Sequence, residues 1–257
     1  MKRTPPPCGS LGLVFVLLIL VCNGRSSLKP TSDSTPWKGH LWAITTGGMA
    51  GVAPGSPANV FVDKNGYLHL KITDHGGAFT AAELFSKDNL GFGTYQWQMQ
   101  GSIDNMDPAT VLGLFPYGPK AGIGKDGENE LDVEFSKWGN TLCAGKCNAD
   151  FTMYPATGKF SLGPTEDNFH VSLGDGAVTT ARLVWSSTKV VATVMSGSQP
   201  MGTTANVLHT WTFAPSDPAA RIPQQPLPVG MNLWCFKTTP AGNQEVVIQD
   251  FQFAAQQ

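Results

Sequence analysis

The chain has 257 residues, with 29 glycines and 19 prolines but only 14% charged residues. This composition excludes a protein built mainly from long surface helices and favours one all-β domain in which many short strands are joined by tight turns. The formal net charge of −2 excludes the basic electrostatic field on which nucleic-acid binding normally depends.

The N-terminus has the layout of a secretory signal peptide. Lys2 and Arg3 precede an apolar run from Leu11 to Val21, and small and polar residues follow. We therefore predict a leader over residues 1–24 and a secreted protein that has no membrane contact once the leader is removed. The apolar run is well short of the roughly 20 residues that span a bilayer. An uncleaved anchor and lipidation at Cys22 stay open as alternatives.

The next segment, residues 25–36, is rich in serine, threonine and proline and is predicted to be a flexible linker. The folded domain is predicted over residues 37–257. Short runs of strand-forming residues follow one another through it, and the predicted strands are Val60 to Val62, Tyr67 to Thr73, Thr94 to Gln100, Thr110 to Phe115, Glu130 to Phe135, Phe151 to Tyr154, Thr179 to Trp185, Val190 to Met195, His209 to Phe213, Val229 to Phe236 and Glu245 to Phe253.

Turn chemistry separates these runs. The segment Asp63 to Gly66 is predicted to close a hairpin, because asparagine and glycine adopt positive φ at low cost. No helix longer than one or two turns, no internal repeat and no second composition block is evident. A single two-sheet sandwich therefore fits the pattern best.

Three cysteines remain after the predicted leader. Cys143 and Cys147 bracket a short flexible stretch that can close as a small disulfide loop, and Cys235 lies in an apolar run and is predicted to be buried. No histidine or further cysteine lies at ligand spacing near the pair, which argues against zinc. The histidines also have no serine or cysteine nucleophile signature beside them, so a serine-histidine-aspartate mechanism has no support.

The segment from Glu130 to Phe135 carries the chemistry. Acidic and apolar residues alternate strictly along it, so a strand would bury the apolar side chains and place Glu130, Asp132 and Glu134 in one row on the opposite face. Neighbouring carboxyl groups in such a row repel each other, and at least one pKa should rise in a partly desolvated cleft.

Glycoside hydrolysis uses such carboxyl groups. A retaining enzyme needs two of them about 5 to 5.5 Å apart, whereas the Cα atoms of Glu130 and Glu134 on a flat strand would be roughly 13 Å apart. The hypothesis therefore requires a concave sheet over which the side chains converge. The alternative is an ordinary half-buried strand with an acidic wet face, which could gather calcium.

The segment Glu130 to Glu134 matches the Glu-x-Asp-x-Glu signature of glycoside hydrolase family 16, the laminarinase, lichenase and carrageenase group. Further segments resemble strands of that family in order: Gly66 to Ile72, Ala82 to Lys87, Gly91 to Tyr95, Thr110 to Tyr117, Arg221 to Trp234 and Val246 to Phe251. The resemblance covers residues 37–253 and implies an antiparallel jelly-roll β-sandwich with a concave substrate cleft.

The resemblance also implies a mechanism. Glu130 would be the nucleophile, Glu134 the general acid/base, and Asp132 the residue that tunes the nucleophile, in a double displacement that retains configuration. No cofactor is needed for this chemistry. The motif lacks the extra residue of the bulged laminarinase version and resembles the unbulged, lichenase-like members, which have several specificities.

Four residues are implied to contact sugar. Trp234 matches an aromatic platform, Asn232 two residues earlier shares its face, and Glu83 matches a position that holds a sugar hydroxyl. An ordinary core tryptophan is the alternative for Trp234. Phe85 stands where the family often has arginine. Trp138 either forms one side of a sugar-binding subsite or packs over the edge of the sandwich.

Many members of the family bind calcium on the convex side of the sandwich. By resemblance, Asp250 and the carbonyl of Gly66 would be its ligands. An aspartate near the end of a last strand is also an ordinary turn-facing residue.

The sequence therefore predicts a monomeric, secreted endo-acting hydrolase of a β-1,3- or mixed β-1,3/1,4-glucan, with a galactan as a further candidate. A non-catalytic lectin on the same sandwich and a transglycosylase stay open, because fold alone cannot separate them. The intact carboxyl triplet favours an enzyme over the lectin.

Overall fold

The computed structural model describes residues 33–256, which form a two-layer sandwich of antiparallel sheets. The first sheet has the strand order β1-β2-β6-β15-β8-β9-β10-β11. Its strands are β1 (Ser34–Trp37), β2 (His40–Ile44), β6 (Ala82–Leu90), β8 (Thr110–Pro116), β9 (Leu131–Ser136), β10 (Ala149–Met153), β11 (Thr165–Phe169) and β15 (Leu227–Cys235).

The second sheet has the order β14-β13-β12-β7-β16-β4-β3, and the short β5 pairs with β4. Its strands are β3 (Val60–Val62), β4 (Leu68–Asp74), β5 (Phe79–Thr80), β7 (Gly93–Gln100), β12 (Val178–Trp185), β13 (Val190–Ser196), β14 (Val207–Phe213) and β16 (Gln244–Ala255).

Helical structure within residues 33–256 is confined to short segments. These are the α-helix α1 (Pro218–Arg221) and the 3₁₀ segments Pro57–Asn59, Ile103–Asn105, Pro119–Ala121, Trp138–Asn140, Leu142–Gly145 and Phe160–Leu162. The described residues contain no helix that is both long and apolar enough to cross a membrane.

The core lies between the sheets and follows the alternation of β9. Leu131, Val133 and Phe135 are fully buried in one hydrophobic cluster together with Tyr95 and Trp97 of β7. Side chains at alternate positions of a strand point to opposite faces, so the acidic residues of β9 face away from this core. The predicted orientation of the strand is confirmed.

The predicted all-β sandwich is confirmed, and so is the hairpin at Asp63 to Gly66. The strands β3 and β4 pair on either side of it, and Gly66 has φ of 81°. Cys143 and Cys147 form a disulfide, the closure that their spacing left open, and Cys235 is free and buried, as expected.

The predicted end of the linker is wrong by a few residues. The linker was expected to reach residue 36, but β1 already begins at Ser34 and pairs with β2. Proline and threonine in this segment concealed an edge strand, which tolerates proline because one side of its backbone needs no partner. Residues 1–32, including the predicted leader and most of the linker, lie outside the described residues.

Candidate active site

A line of polar residues crosses the outer face of the first sheet. Direct cross-strand partners place Glu83, Asn232, Gly113, Glu134 and Asp150 side by side on β6, β15, β8, β9 and β10. Because paired residues share a face, the four side chains and the bare backbone at the glycine form one continuous band. Strand register thus brings together residues that are far apart in the sequence, such as Glu83 and Asn232, which are 149 positions apart.

The three acids of the β9 segment lie on this same face. Asp132 is only 4% exposed, whereas Glu130 and Glu134 are half-buried and open to solvent on the cleft side. Glu130 immediately precedes the strand and forms an isolated bridge with Tyr117. The predicted row of three carboxyl groups is therefore present.

The residue before Glu130 anchors it. Asn129 is fully buried in the left-handed region, with φ of 54°. Its side-chain amide donates to the carbonyl of Ile123 at 3.1 Å and to Oγ1 of Thr157 at 2.7 Å. Asparagine tolerates this conformation better than most residues, so Asn129 turns the chain sharply into the acidic strand.

Burial dominates the electrostatics of Glu130. Desolvation raises the pKa of its carboxyl group, and the negative charges of Asp126 and Glu83 raise it further. A hydrogen bond from Asp132 acts in the opposite direction and favours ionised Glu130. The carboxyl of Asp132 thus serves as the donor that stabilises a negative charge on its neighbour.

Asp132 and Glu134 have the more strongly raised pKa values. Desolvation is the main cause for both carboxyl groups, followed by Glu130 for Asp132 and by Asp150 for Glu134. Carboxyl groups at this spacing cannot all ionise in a partly dry environment. The raised pKa values of Asp132 and Glu134 favour their protonated forms, and general-acid chemistry requires a carboxyl group that stays protonated near neutral pH.

Glu83 and Asn232 are direct cross-strand partners beside this row. Desolvation raises the pKa of Glu83, while hydrogen bonds from Thr45 and Asn232 and the charge of Lys120 lower it. The side-chain oxygen of Asn232 accepts the backbone N–H of Gly113 at 3.0 Å. Both predicted sugar-binding residues are thus buried side by side on the outer face of the first sheet.

Gly113 keeps the middle of the band open. A Cβ atom at this position would lie 2.5 Å from Oδ1 of Asn232, far inside van der Waals contact. Only glycine lets the sheet surface between Asn232 and Glu134 stay at backbone level. A sugar ring can therefore approach the sheet at the point next to the proposed acid/base.

A cavity of about 430 Å³ opens on the Glu130 side of the band. Sequence reasoning missed most of its lining. The residues that line it are Gly48, Met49, Ala50, Glu83, Phe85, Phe115, Tyr117, Pro119, Lys120, Asp126, Glu130 and Asn232.

Aromatic rings and one cation dominate this lining. Phe85 packs edge to face against Phe115 at 5.8 Å, and Nζ of Lys120 lies 4.6 Å from the centroid of the Phe85 ring. The alternation of aromatic and glycine residues on β8 and β15 could have indicated an open aromatic floor. The contribution of Lys120 could not have been predicted in this way, because Lys120 lies in the short 3₁₀ segment Pro119–Ala121 outside the strands.

Trp234 and Trp138 lie together on the other side of the band. Trp234 is half-buried on the face opposite Cys235, as alternation predicts, and its ring centroid is 5.8 Å from that of Trp138. Trp138 has φ of 46°, an unusual conformation for a bulky residue, and its backbone N–H donates to Oγ of Ser136 at 2.9 Å. The strained turn thus directs this ring towards the acidic row.

The two residues expected to bind calcium have other partners. The carbonyl of Gly66 accepts the indole N–H of Trp37 at 2.9 Å, and the carboxylate of Asp250 pairs with Nζ of Lys38 at 2.9 Å and accepts from Gln252 at 2.7 Å. Calcium takes six to eight oxygen ligands, so an ammonium group in contact with the predicted carboxylate ligand is unsuitable. These residues do not fit a calcium ion.

No protein-family model matches the sequence, and no curated protein matches it either. Solved structures do match the fold. The β-glucanase of Bacillus licheniformis superimposes with a TM-score of 0.61 at 19% identity, and the alignment covers 88% of this chain and 100% of that one.

Two further structures agree with this match. A β-1,3-1,4-glucanase (lichenase) derived from a mouse hindgut metagenome gives a TM-score of 0.58 at 20% identity, covering 85% of this chain and 94% of that one. The laminarinase of Flavobacterium sp. UMI-01 gives 0.59 at 13% identity, covering 82% and 92%. The chain therefore has the jelly-roll fold that these β-glucanases share.

Proposed function

We propose that this protein is a member of glycoside hydrolase family 16 that cleaves a β-linked glucan internally with retention of configuration. The observation that carries the proposal is the acidic row Glu130, Asp132 and Glu134 on the outer face of the first sheet, beside an open cavity. The fold of the solved β-glucanases supports the same reading.

In this mechanism Glu130 attacks the anomeric carbon while Glu134 protonates the departing glycosidic oxygen. Water then attacks the glycosyl-enzyme, and Glu134 takes up its proton. Asp132 donates a hydrogen bond to Glu130, which favours the ionised nucleophile and its return as a leaving group. Desolvation raises the pKa of Glu130 to about 8, and this hydrogen bond offsets part of that rise.

The substrate contacts follow from the same band. Glu83 and Asn232 offer fixed acceptors and donors to sugar hydroxyls, and Trp234 and Trp138 offer ring faces at the opposite end. We infer a mixed-linkage or β-1,3-glucan, because the named neighbours are β-glucanases and a laminarinase. The leader-like N-terminus supports secretion, and a secreted enzyme would encounter such a polysaccharide outside the cell.

Reducing-end release from a panel of barley β-glucan, laminarin, xyloglucan, agarose and carrageenan tests this proposal. We expect release from barley β-glucan or laminarin, with a rapid fall in viscosity because internal bonds are cut. Retained polysaccharide binding without release from any polymer would favour the lectin instead. New long oligosaccharides without a rise in reducing ends would indicate transglycosylation.

A further inference from the structure

A fourth carboxyl group adjoins the acidic row. Asp150 on β10 is the direct cross-strand partner of Glu134, so its side chain lies on the same face of the sheet. It is only 3% exposed. The Glu-x-Asp-x-Glu pattern on β9 does not include this residue. A buried acid in hydrogen-bond contact with a second acid is unfavourable unless the pair shares a proton.

The surroundings of Asp150 determine which member of the pair holds that proton. Nε1 of Trp138 donates to Oδ1 of Asp150 at 2.7 Å, and Oγ1 of Thr152 donates to Oδ2 at 3.1 Å. An indole N–H can only donate, so Asp150 must be an acceptor on that side. Each carboxylate oxygen of Asp150 thus accepts a hydrogen bond from a residue other than Glu134, which stabilises the ionised form of Asp150.

Glu134 completes this arrangement as a donor. The hydrogen bond between the two carboxyl groups lowers the pKa of Asp150 and raises that of Glu134. For Asp150, desolvation outweighs the hydrogen bonds and raises the pKa to about 6. The pKa of Glu134 is raised well above its usual value. The ionised Asp150 therefore accepts a hydrogen bond from the protonated Glu134, which keeps its proton.

We propose that Asp150 is a positioning residue that keeps Glu134 protonated and ready to act as the general acid. The inference rests on the proposed function, which assigns the acid/base role to Glu134. In the free protein the Glu134 O–H donates to Asp150. When a glycosidic oxygen replaces Asp150 as acceptor, the same proton passes to the leaving group.

The negative charge of Asp150 also acts in the second step of the reaction, deglycosylation. Glu134 is then ionised beside the ionised Asp150, and their repulsion makes it a stronger base. It takes one proton from the attacking water, whose oxygen bonds to the anomeric carbon as the bond to Glu130 breaks. The starting protonation state is restored, and Asp150 neither gains nor loses a proton.

Several other ionisable groups face this pair. They are Glu130 just before β9, Asp132 on β9, Glu166 on β11, and Tyr154 just beyond β10. Gly113, the partner of Glu134 on the β8 side, carries no side chain. The acids among them repel a charge on Glu134 through space, whereas Asp150 also hydrogen-bonds to it. This difference suggests a matched control.

The experiment compares wild type with Asp150→Asn and with Glu166→Gln. The titration of Glu134 is followed by NMR on protein labelled with ¹³C at the glutamate carboxyl groups, and the Glu134 signal is identified by its loss in Glu134→Gln. We expect Glu134 to titrate about one pH unit lower or more in Asp150→Asn, because a contacting charge and acceptor are removed. The shift in Glu166→Gln should be clearly smaller.

The pH profile of kcat/KM gives the functional readout. In Asp150→Asn its alkaline limb should move to lower pH, so that kcat/KM falls about tenfold on that limb and stays near wild type on the acid side. Loss by one factor at every pH would indicate a merely structural role and overturn the proposal. So would an unchanged titration of Glu134.

Trp138→Phe provides a second variant if Asp150→Asn does not fold. It keeps an aromatic side chain but removes the Nε1 donor, so the Asp150 carboxylate becomes less stable and Glu134 should again titrate lower. The NMR titration needs no substrate. A wild type that cleaves no polysaccharide would therefore contradict the proposed function, while the titration would still decide the role of Asp150.

Discussion

Replacing Glu130 with Ala is expected to lower kcat by roughly 10⁴-fold or more, because no other group can then form the covalent intermediate. Glu130 is half-buried at the start of β9, and the loop that holds it is anchored by Asn129 through its own hydrogen bonds. The change removes a charge that desolvation disfavours, so the fold should persist. Initial rates on the polysaccharide found by the panel would measure the loss.

Binding supplies the control for this variant. Affinity electrophoresis in the same polysaccharide should show retained binding, because the sugar contacts proposed for Trp234 and Asn232 are intact. Glu245→Ala is a matched change on the second sheet, where Glu245 pairs with His69, and it should leave turnover close to wild type. Equal turnover by wild type and Glu130→Ala would refute the assignment of the nucleophile.

Replacing Glu134 with Gln is expected to lower kcat on polysaccharide by about 10²- to 10⁴-fold, the usual contribution of a positioned general acid. On a dinitrophenyl glycoside of the matching oligosaccharide, the rate of the first step, glycosylation, should fall by a much smaller factor. Such a leaving group departs without protonation. Burst kinetics on the dinitrophenyl substrate would separate that step from deglycosylation, which still needs a base.

The leaving-group dependence distinguishes an acid from a structural residue. A variant that had merely distorted the cleft would lose the same factor on both substrates. Glu245→Gln is the matched control, since it makes the same change outside the site. A loss in the glycosylation step that does not depend on the leaving group would contradict the role proposed for Glu134.

The strand that carries the acids could be predicted because its pattern is local. Alternation from Glu130 to Phe135 defines which side chains are buried and which face outwards, and the structure has that orientation. The hairpin after Asp63 is equally local, since its turn residues determine it. Strand faces and tight turns depend on neighbours within a few residues.

Strands without alternation could not be predicted in this way. β6 runs from Ala82 to Leu90 with its first five residues all buried, because the core covers one face and the cleft and its neighbours cover the other. β11 from Thr165 to Phe169 is mostly polar and lies at the edge of its sheet. Neither pattern has the period that identifies a half-buried strand.

The role of Asp150 depends on register, which the sequence does not reveal. The connection between β9 and β10 includes the disulfide loop of Cys143 and Cys147, and its length gives no indication of which residue opposes Glu134. A shift of one residue would have turned Asp150 into the core. The ion pair at the predicted calcium ligand Asp250 is likewise non-local, because Lys38 reaches Asp250 from a distant turn.

The anomeric configuration of the first product tests the central claim most directly. Proton NMR during the first minutes of hydrolysis of the polysaccharide identified by the panel would distinguish the two anomers before mutarotation. Attack by Glu130 followed by water on the opposite side predicts that the β anomer appears first and the α anomer only later. An α anomer as the first product would mean direct attack by water, and would contradict a covalent role for Glu130.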